Sequence, residues 1–260
     1  MSTPDEIKIS VPRHKNLAFT SAGDHSNLEL WLAGERQFDL WVTYYGNQLD
    51  RYRDRAEFYN YRRGAKFPNL HYLYQTAREI LDQYDAIIVL DDDIIIDARG
   101  LNQLFDLRER YDLWLLQPAF DPQGKISHPI TEVKPGLLLR YVSFVEVTCP
   151  LFKKEKLDAF MAVYDPALLS WGVDWWFLQV LGPDLAGKVA VIDAIPCINP
   201  HDAAKGGRRE IDRIEPEKVR IARWQEFATR YNIPSGPELK VEYGRIPAGP
   251  TATQDRVTTQ

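Results

Sequence analysis

The sequence predicts an α/β protein with a mostly parallel, twisted sheet that carries helices on both faces. Short apolar runs alternate with segments of helical periodicity along most of the 260 residues, which is typical of strands and helices that alternate around a parallel sheet. The run at 87–90 is apolar throughout, as expected for a strand buried on both faces. Three carboxylates, Asp91 to Asp93, follow it directly, at the strand end where ligands of such sheets collect.

The first half of the chain predicts two strands and two helices before the acidic strand. We expect strands at 15–20 and 38–45, separated by a helix at 27–32, and a helix at 70–83 that leads into the acidic strand. Residues 50–63 mix five arginines with aromatic residues and have no clear period. A basic aromatic surface is the simplest interpretation of that segment.

The second half continues the alternation and ends in helices and a tail. The expected elements are a helix at 98–111, strands at 112–118 and 141–150, a helix at 153–164, a strand at 188–196, and one or two helices within 210–231. No Gly-, Ser- or Pro-rich linker divides residues 1–243, so we expect one domain. Residues 244–260 contain few apolar side chains, which predicts a disordered tail.

Composition argues against two classes of partner. The net charge of −5 argues against nucleic acid bound through a global positive field. No run of about 18 apolar residues occurs, so we expect no transmembrane segment. Cys149 and Cys197 lie in apolar stretches and are expected to be buried, reduced thiols. Together with a polar start of the chain, these features lead us to expect a cytoplasmic protein.

The acids after the apolar run form the first candidate site. Alternation along an extended backbone places Asp91 and Asp93 on one face and Asp92 on the other. Two converging carboxylates repel each other, and Mg²⁺ or Mn²⁺ would relieve the repulsion. A solvated acidic turn is the alternative. His201 follows the last core strand and is a candidate to complete the metal site, with a solvated loop histidine as its alternative.

A tryptophan-rich loop carries the second candidate site. Asp174 lies among Trp171, Trp175 and Trp176. Apolar walls raise the pKa of a carboxyl and keep water away, which suits a general base. Indole faces can also stack on a sugar ring. Asp174 could instead cap a helix at 175–181, and capping and catalysis are compatible.

Taken together, these features resemble the GT-A glycosyltransferases. In that superfamily an Asp-x-Asp motif binds a divalent cation and the nucleotide-sugar donor, a later acid deprotonates the acceptor, and a C-terminal histidine often joins the metal. The resemblance implies that Asp91 and Asp93 form the Asp-x-Asp motif, that Asp174 is the base and that His201 is the metal-binding histidine. It also implies a GT-A-like fold, with a Rossmann-like nucleotide-binding half and an acceptor half.

Four short stretches more closely resemble a family of plant and bacterial proteins of unknown function, described in plants as lysine-ketoglutarate-reductase related. The stretches are 64–68, 84–93, 171–174 and 189–193. The first of them contains Lys66 in a glycine-containing loop before a predicted helix. Such a loop could bring an ammonium group and backbone amides to a phosphate.

The resemblance implies particular contacts with the two substrates. The residues expected at the donor are Thr20, Ser21, Lys66, Asp91 and Asp92, and those expected at the acceptor are Trp171, Trp175 and Trp176. The second strand ends in two tyrosines rather than in the acid that many superfamily members use for the nucleotide base. The nucleotide therefore stays open, with a UDP-sugar as one candidate.

The expected function is metal-dependent transfer of a sugar from a nucleotide-diphosphate donor to a glycan or glycolipid acceptor, as in polysaccharide biosynthesis. If Asp174 is the base, the transfer inverts the anomeric centre. A nucleotidyltransferase or other nucleotide-sugar enzyme is one alternative, although it would favour a loop rich in glycine and basic residues after the first strand, where Gly23 is the only glycine. A non-catalytic carbohydrate-binding protein is the other. Metal-dependent nucleotide binding would separate this last alternative from the enzymes.

Overall fold

The computed structural model describes residues 7–8, 10–48, 50–202 and 211–249. The strands are β1 (Asn16–Ala22), β2 (Asp39–Tyr44), β3 (Phe58–Tyr61), β4 (Ala86–Asp91), β5 (Leu115–Phe120), β6 (Leu137–Val142), β7 (Leu151–Lys153), β8 (Val189–Cys197) and β9 (Glu242–Pro247). The α-helices are α1 (Leu28–Leu32), α2 (Lys66–Thr76), α3 (Arg78–Leu81), α4 (Ala98–Arg110), α5 (Lys154–Met161), α6 (Val173–Leu181), α7 (Ile211–Ile214) and α8 (Glu217–Tyr231).

The nine strands form one sheet in the order β3-β2-β1-β4-β7-β5-β8-β6-β9. Strands β1 to β4 are mutually parallel, and β5 and β8 are parallel to each other. Strand β7 runs antiparallel to β4 and β5, and β6 runs antiparallel to β8 and β9. Seven strands therefore share one direction, and β6 and β7 oppose them. The predicted α/β class with a mostly parallel sheet is confirmed, and the two opposing strands make the sheet a mixed one.

The sheet has a hydrophobic core on each face, because successive side chains of a strand point to opposite sides. On β4, Ile87 and Val89 pack with residues of α2, α5, α6 and α8. Their neighbours Ile88 and Leu90 pack instead with residues of α1 and α4. Helices therefore cover both faces, and β4 is buried on both sides, as its unbroken apolar run predicts.

The order of the first four strands creates a switch point between β1 and β4. The chain continues from β1 to β2 on one side and returns through β3 to β4 on the other side of β1. Ser21 of β1 lies opposite Asp91 of β4 in the parallel register, so the carboxyl ends of both strands meet there. Ligands of open α/β sheets bind at such a point.

The predicted strand at 141–150 is wrong for most of its length. Strand β6 ends at Val142 and β7 begins at Leu151, with a loop between them. The backbone carbonyl groups of Thr148 and Pro150 accept hydrogen bonds from Asp91 (2.9 Å) and Val89 (2.8 Å) of β4. The apolar alternation of this segment therefore reflects burial beside β4 rather than membership of a regular strand.

The predicted disordered tail is wrong at its start. Residues 244–247 belong to β9, which pairs with β6. The side chains of β9 are alternately half-buried and exposed, so this strand depends on backbone pairing that composition does not report. The rest of that prediction, from 250 onward, lies outside the described residues.

Two further expectations concern the cysteines and membrane spanning. Cys149 and Cys197 are buried and free, as predicted. Among the helices of the described residues, none combines the length and the apolar character needed to cross a bilayer. In the unassigned basic aromatic segment, residues 58–61 form β3 at one edge of the sheet.

Candidate active site

Strand β4 ends in a carboxylate turn rather than in an extended acidic segment. Asp91 is the last strand residue, and the next two acids form a turn in which the N–H of Ile94 donates to the carbonyl of Asp91 (3.3 Å). The expected alternation of the three acids between two faces is therefore wrong. The side chain of Asp92 instead accepts the backbone N–H of Gly23 (2.8 Å). That bond ties the loop after β1 to the acidic turn.

The acidic turn concentrates negative charge. Burial and the like charges of Asp93 and Asp91 together raise the pKa of Asp92 to about 8, against the lowering effect of the Gly23 hydrogen bond. A raised carboxyl pKa indicates that too few positive charges and hydrogen-bond donors surround the carboxylate to stabilise its ionised form. This turn is therefore a place where an added cation would be stabilised.

Lys66 is the first residue of α2, and its ammonium group is buried against β4. It donates to the carbonyl groups of Thr148 (2.6 Å) and Val89 (3.3 Å) and pairs with Oδ1 of Asp91 (2.8 Å). An ammonium group has three donors, and all three are used. The prediction that Lys66 reaches a phosphate is therefore wrong in this structure, and its role is to hold Asp91.

The two residues predicted at the end of β1 have different surroundings. Thr20 is fully buried, and its hydroxyl donates to the carbonyl of Leu90 (3.0 Å), so the prediction that it contacts the donor is wrong. Ser21 lies at the carboxyl edge, where its Oγ accepts from Nδ2 of Asn69 (2.9 Å). Oδ1 of Asn69 accepts in turn from the guanidinium of Arg62.

Arg62 is a candidate that sequence reasoning missed. It directly follows β3 and is only partly buried, so its charge lies at the same edge of the sheet as Ser21 and Asp91. A planar guanidinium binds phosphate oxygens in pairs. The sequence feature that could have identified Arg62 is its position directly after the short aromatic run 58–61, which forms a strand.

Glu146 is the second missed residue, and it connects the two predicted acidic sites. It is buried in the loop after β6, and Oε1 accepts from the hydroxyl of Thr148 (2.9 Å). Burial raises the pKa of Glu146 to about 7; the nearby charges of Asp174 and Asp91 add to the shift, and Lys66 opposes it. Glu146 is therefore within electrostatic reach of both Asp91 and Asp174. The sequence feature that could have identified Glu146 is that it is a lone acid in an apolar stretch.

Asp174 lies in the first turn of α6, one residue after the first helical position. Gly172 is the N-cap, so the alternative that Asp174 caps the helix is wrong. Its carboxylate accepts backbone N–H groups of Trp175 (2.9 Å) and of Val147. Asp174 is 7% exposed, and burial raises its pKa to about 6 against these hydrogen bonds. Above pH 6 it is a buried, ionised base.

The three tryptophans of this loop do not share one surface. Trp171 is 44% exposed. Trp175 is partly buried with its ring centroid 4.9 Å from that of Phe144. Trp176 is 6% exposed and packs at 4.2 Å on Phe227 in the core. The prediction that Trp176 contacts an acceptor is therefore wrong, because its ring is covered by helix α8.

A cavity of about 330 Å³ opens between the loop at 127–130 and the segment at 237–240. Lys240 links the cavity to the acids, because it lines the cavity and interacts electrostatically with the carboxyl groups of Asp174 and Glu146. Its Nζ lies 4.4 Å from the ring centroid of Phe144 and 5.4 Å from that of Trp175. The residues that line the cavity are Ser127, His128, Pro129, Ile130, Pro237 and Lys240.

Lys240 and His128 form a hydrogen-bonded pair in which the ammonium group donates and the imidazole accepts. Nζ of Lys240 lies 2.6 Å from Nδ1 of His128. Burial, followed by the charge of Lys240, lowers the pKa of His128 to about 4, so its imidazole is neutral and accepts from the ammonium. Burial also lowers the pKa of Lys240, while Asp174 and Glu146 raise it. The cavity therefore has a cationic wall within electrostatic reach of the two buried acids.

His201 is not gathered with the acidic turn. It is exposed after β8, and the described part of the chain contains no group of three or more His, Cys, Asp or Glu side chains placed to hold a metal ion. His201 is therefore not placed with Asp91 and Asp93 in this structure, and metal binding by these residues stays a prediction.

Comparisons with known proteins give a weak likeness in structure. No protein-family model matches the chain, and no curated protein matches it in sequence. Crystal structures of S. aureus TarS are similar at 10% identity over 72% of this chain and 37% of that chain, with a TM-score of 0.49. TarS 1–349 in complex with UDP-GlcNAc is similar at 11% identity and a TM-score of 0.48, over 72% of this chain and 58% of that chain.

Another crystal structure is also similar. A197 from STIV has 14% identity and a TM-score of 0.41, and the match covers 72% of this chain and 95% of that chain. The chain thus spans between about a third and three fifths of the length of the TarS chains. Because every one of these TM-scores lies below 0.5, the function has to be argued from the site itself.

Proposed function

We propose that the chain is a glycosyltransferase that binds a nucleotide-diphosphate sugar at the carboxyl ends of β1 and β4. The observation that carries the proposal is that Glu146, in the loop after β6, lies within electrostatic reach of two other acids. These are Asp91, at the end of β4 beside the switch point, and Asp174, at the start of α6. The raised pKa values of Glu146 and Asp174 are typical of acid–base sites. A purely structural cluster of ion pairs would hold these carboxyl groups at lowered pKa values.

The donor side is proposed to use the edge formed by Ser21, Arg62 and the acidic turn. Arg62 supplies a cation for a diphosphate, and Asn69 fixes it by bonding both Arg62 and Ser21. The fixed loop after β1, held by Asp92, shapes the other wall. This arrangement favours a phosphate-bearing ligand at the point where open α/β sheets bind nucleotides.

A divalent cation fits the donor set of the acidic turn. Mg²⁺ and Mn²⁺ take oxygen ligands and are commonly held by one or two carboxylates together with substrate phosphates. Asp91 and Asp93 would hold it, and the raised pKa of Asp92 beside them marks the uncompensated negative charge. When bound, the cation would supply charge neutralisation for a departing diphosphate.

Asp174 is the proposed base. At neutral pH its carboxyl, with a pKa of about 6, is more fully ionised than that of Glu146, with a pKa of about 7. A base with a pKa near the working pH transfers protons well. The cavity walled by Lys240 and His128 is the proposed place of the acceptor, because Lys240 interacts electrostatically with Asp174. Deprotonation of an acceptor hydroxyl by Asp174 would give transfer with inversion.

The test is nucleotide binding by calorimetry with and without Mn²⁺. UDP and UDP-GlcNAc, which the TarS complexes contain, are suitable first probes. We expect Asp91→Asn and Asp93→Asn each to weaken Mn²⁺-dependent binding by at least about tenfold, equivalent to about 1.4 kcal/mol. Asp106→Asn, at an exposed position of α4, is the matched control. Unchanged affinity in both acidic-turn variants would refute the proposed donor site.

A further inference from the structure

The loop that carries His128 is fixed by a fully buried arginine. Arg140 of β6 pairs with both carboxylate oxygens of Asp193 on β8 (2.9 and 3.0 Å), and neither side chain is exposed. The same guanidinium donates to the backbone carbonyl groups of Ile130 (2.8 Å) and Glu132 (2.7 Å). A planar guanidinium with hydrogen bonds in these fixed directions holds its partners in one geometry. The backbone beside His128 is therefore held in place.

The imidazole of His128 is anchored to Lys240. Its ring lies edge-on to that of Phe144, with the ring centroids 4.8 Å apart, and its Nδ1 lies 2.6 Å from Nζ of Lys240. Burial and the charge of Lys240 lower the pKa of His128 to about 4. The ring therefore stays neutral over the pH range in which Asp174 titrates, and Nδ1 remains an acceptor for the ammonium group.

The backbone on both sides of Lys240 is fixed by Ser143, which directly follows β6. The N–H of Ser143 donates to the carbonyl of Val241 (2.9 Å), and the N–H of Val241 donates to Oγ of Ser143 (2.7 Å). The same hydroxyl donates to the carbonyl of Leu239 (2.7 Å). At the other end of the side chain, Nζ lies 4.4 Å from the ring centroid of Phe144, which is a favourable cation–π distance. Both ends of Lys240 are therefore held.

Two charged groups lie within electrostatic reach of Asp174. They are Glu146, from the loop after β6, and Lys240, from the segment before β9. Within the described part of the chain, the ammonium of Lys240 makes its hydrogen bond to His128 rather than to a carboxylate. The carboxylate of Asp174 is held instead by backbone N–H groups, among them that of Trp175 (2.9 Å). A direct pair with an ammonium would lower the pKa of such a carboxyl by about 1–3.

We infer that His128 is a positioning residue for the proposed base, because it holds the ammonium group of Lys240 within electrostatic reach of Asp174 but out of contact with it. The inference rests on the proposed function only in taking Asp174 as the base. A carboxylate without a direct ion pair can accept the proton of an acceptor hydroxyl, whereas an ammonium in contact would compete with that hydroxyl. The lysine stem is flexible, so without an acceptor at position 128 the ammonium would be drawn to the base.

The experiment follows the titration of the Asp174 carboxyl by carbon-13 NMR on the full chain, without donor or acceptor. His128→Leu removes the anchoring nitrogen and should lower the proton affinity of Asp174 by about tenfold or more, since a contacting opposite charge lowers a carboxyl pKa by about 1–3. His128→Asn keeps an oxygen near the position of Nδ1 and should leave the titration unchanged. His25→Leu, at an exposed position, is the matched control and should also leave it unchanged.

Removing the ammonium shows whether it causes the change. Lys240→Met should raise the proton affinity of Asp174, because it removes a positive charge. The double variant His128→Leu/Lys240→Met should then behave like Lys240→Met alone. A merely structural role of His128 would instead give the same lowering with or without the lysine.

The rate of transfer provides a second measurement. In His128→Leu the acidic limb of the pH–rate profile should move to lower pH, and transfer above that limb should be slower. Absence of transfer in the wild type would refute the proposed function, whereas the titration would still decide the role of His128. Should His128→Leu fail to fold, His128→Ala replaces it with the same expectation. An unchanged or raised proton affinity in that variant, or an equal lowering in the double variant, would overturn the inference.

Discussion

Replacing Asp174 by Asn is expected to stabilise the fold at neutral pH while it lowers transfer. The carboxyl is 7% exposed, and burial moves its pKa from 3.8 to about 6. Between these two values the native state keeps a proton that the unfolded chain has released. The free energy of unfolding therefore falls as the pH rises through this window, and the loss is complete above about pH 6.

The magnitude follows from the size of that shift. Two pKa units at about 1.36 kcal/mol each correspond to about 3 kcal/mol of destabilisation at pH 7.5. An asparagine resembles the protonated carboxyl and carries no such penalty. The variant should therefore match the wild type near pH 4 and exceed its stability by up to about 3 kcal/mol at pH 7.5. Losing the attraction to Lys240 offsets part of this gain, because Asp174 stabilises the charged ammonium.

The assay is urea unfolding followed by circular dichroism at several pH values from 4.5 to 7.5, on the wild type and Asp174→Asn. Asp184→Asn, an exposed position after α6, is the control and should show no pH-dependent difference. Single-turnover transfer by Asp174→Asn should fall by about 10²-fold or more, the usual contribution of a positioned base. A stability difference that does not grow with pH would refute the assignment of a raised pKa. A wild-type rate would remove Asp174 from the mechanism.

Two single substitutions and one matched pair of glycine substitutions test the surroundings of the site. Glu146→Gln should leave the acidic limb of the pH–rate profile near pH 6, because Glu146, with a pKa of about 7, is still protonated while Asp174 ionises; a limb that moves to lower pH would contradict this order of ionisation. Lys66→Met should lower the free energy of unfolding by about 2–4 kcal/mol, since it leaves two buried carbonyl groups and a carboxylate without their donor, and an unchanged urea midpoint would disprove this. Gly172→Ala and Gly187→Ala form a matched pair at φ 77° and 73°. A Cβ at Gly172 would lie 1.9 Å from the ring of Trp224, whereas one at Gly187 meets nothing within 4 Å. Unfolding should show a cost of about 1–2 kcal/mol for Gly187→Ala and a further 1–3 kcal/mol for Gly172→Ala, and equal costs would contradict the packing explanation.

The sequence by itself determined the α/β class, the position of the central strand and the placing of Asp91 at its end. These features are local, because an apolar run followed by acids is a property of about ten consecutive residues. A parallel strand that is buried on both faces needs apolar side chains at successive positions, so its burial is visible in the sequence. The loop of Asp174 was visible for the same reason.

Only the tertiary structure decided which polar groups meet. Lys66 uses its donors on β4 and on Thr148, which is 82 residues away, and so it is not available to a phosphate. Glu146 belongs to the site because its loop packs between β4 and α6, whereas Trp176 lies outside the site because α8 covers its ring. A pKa or an exposed face depends on segments brought together from the whole chain. A pattern along a single strand or loop does not contain that information, and the pairing of β9 with β6 was hidden for the same physical reason.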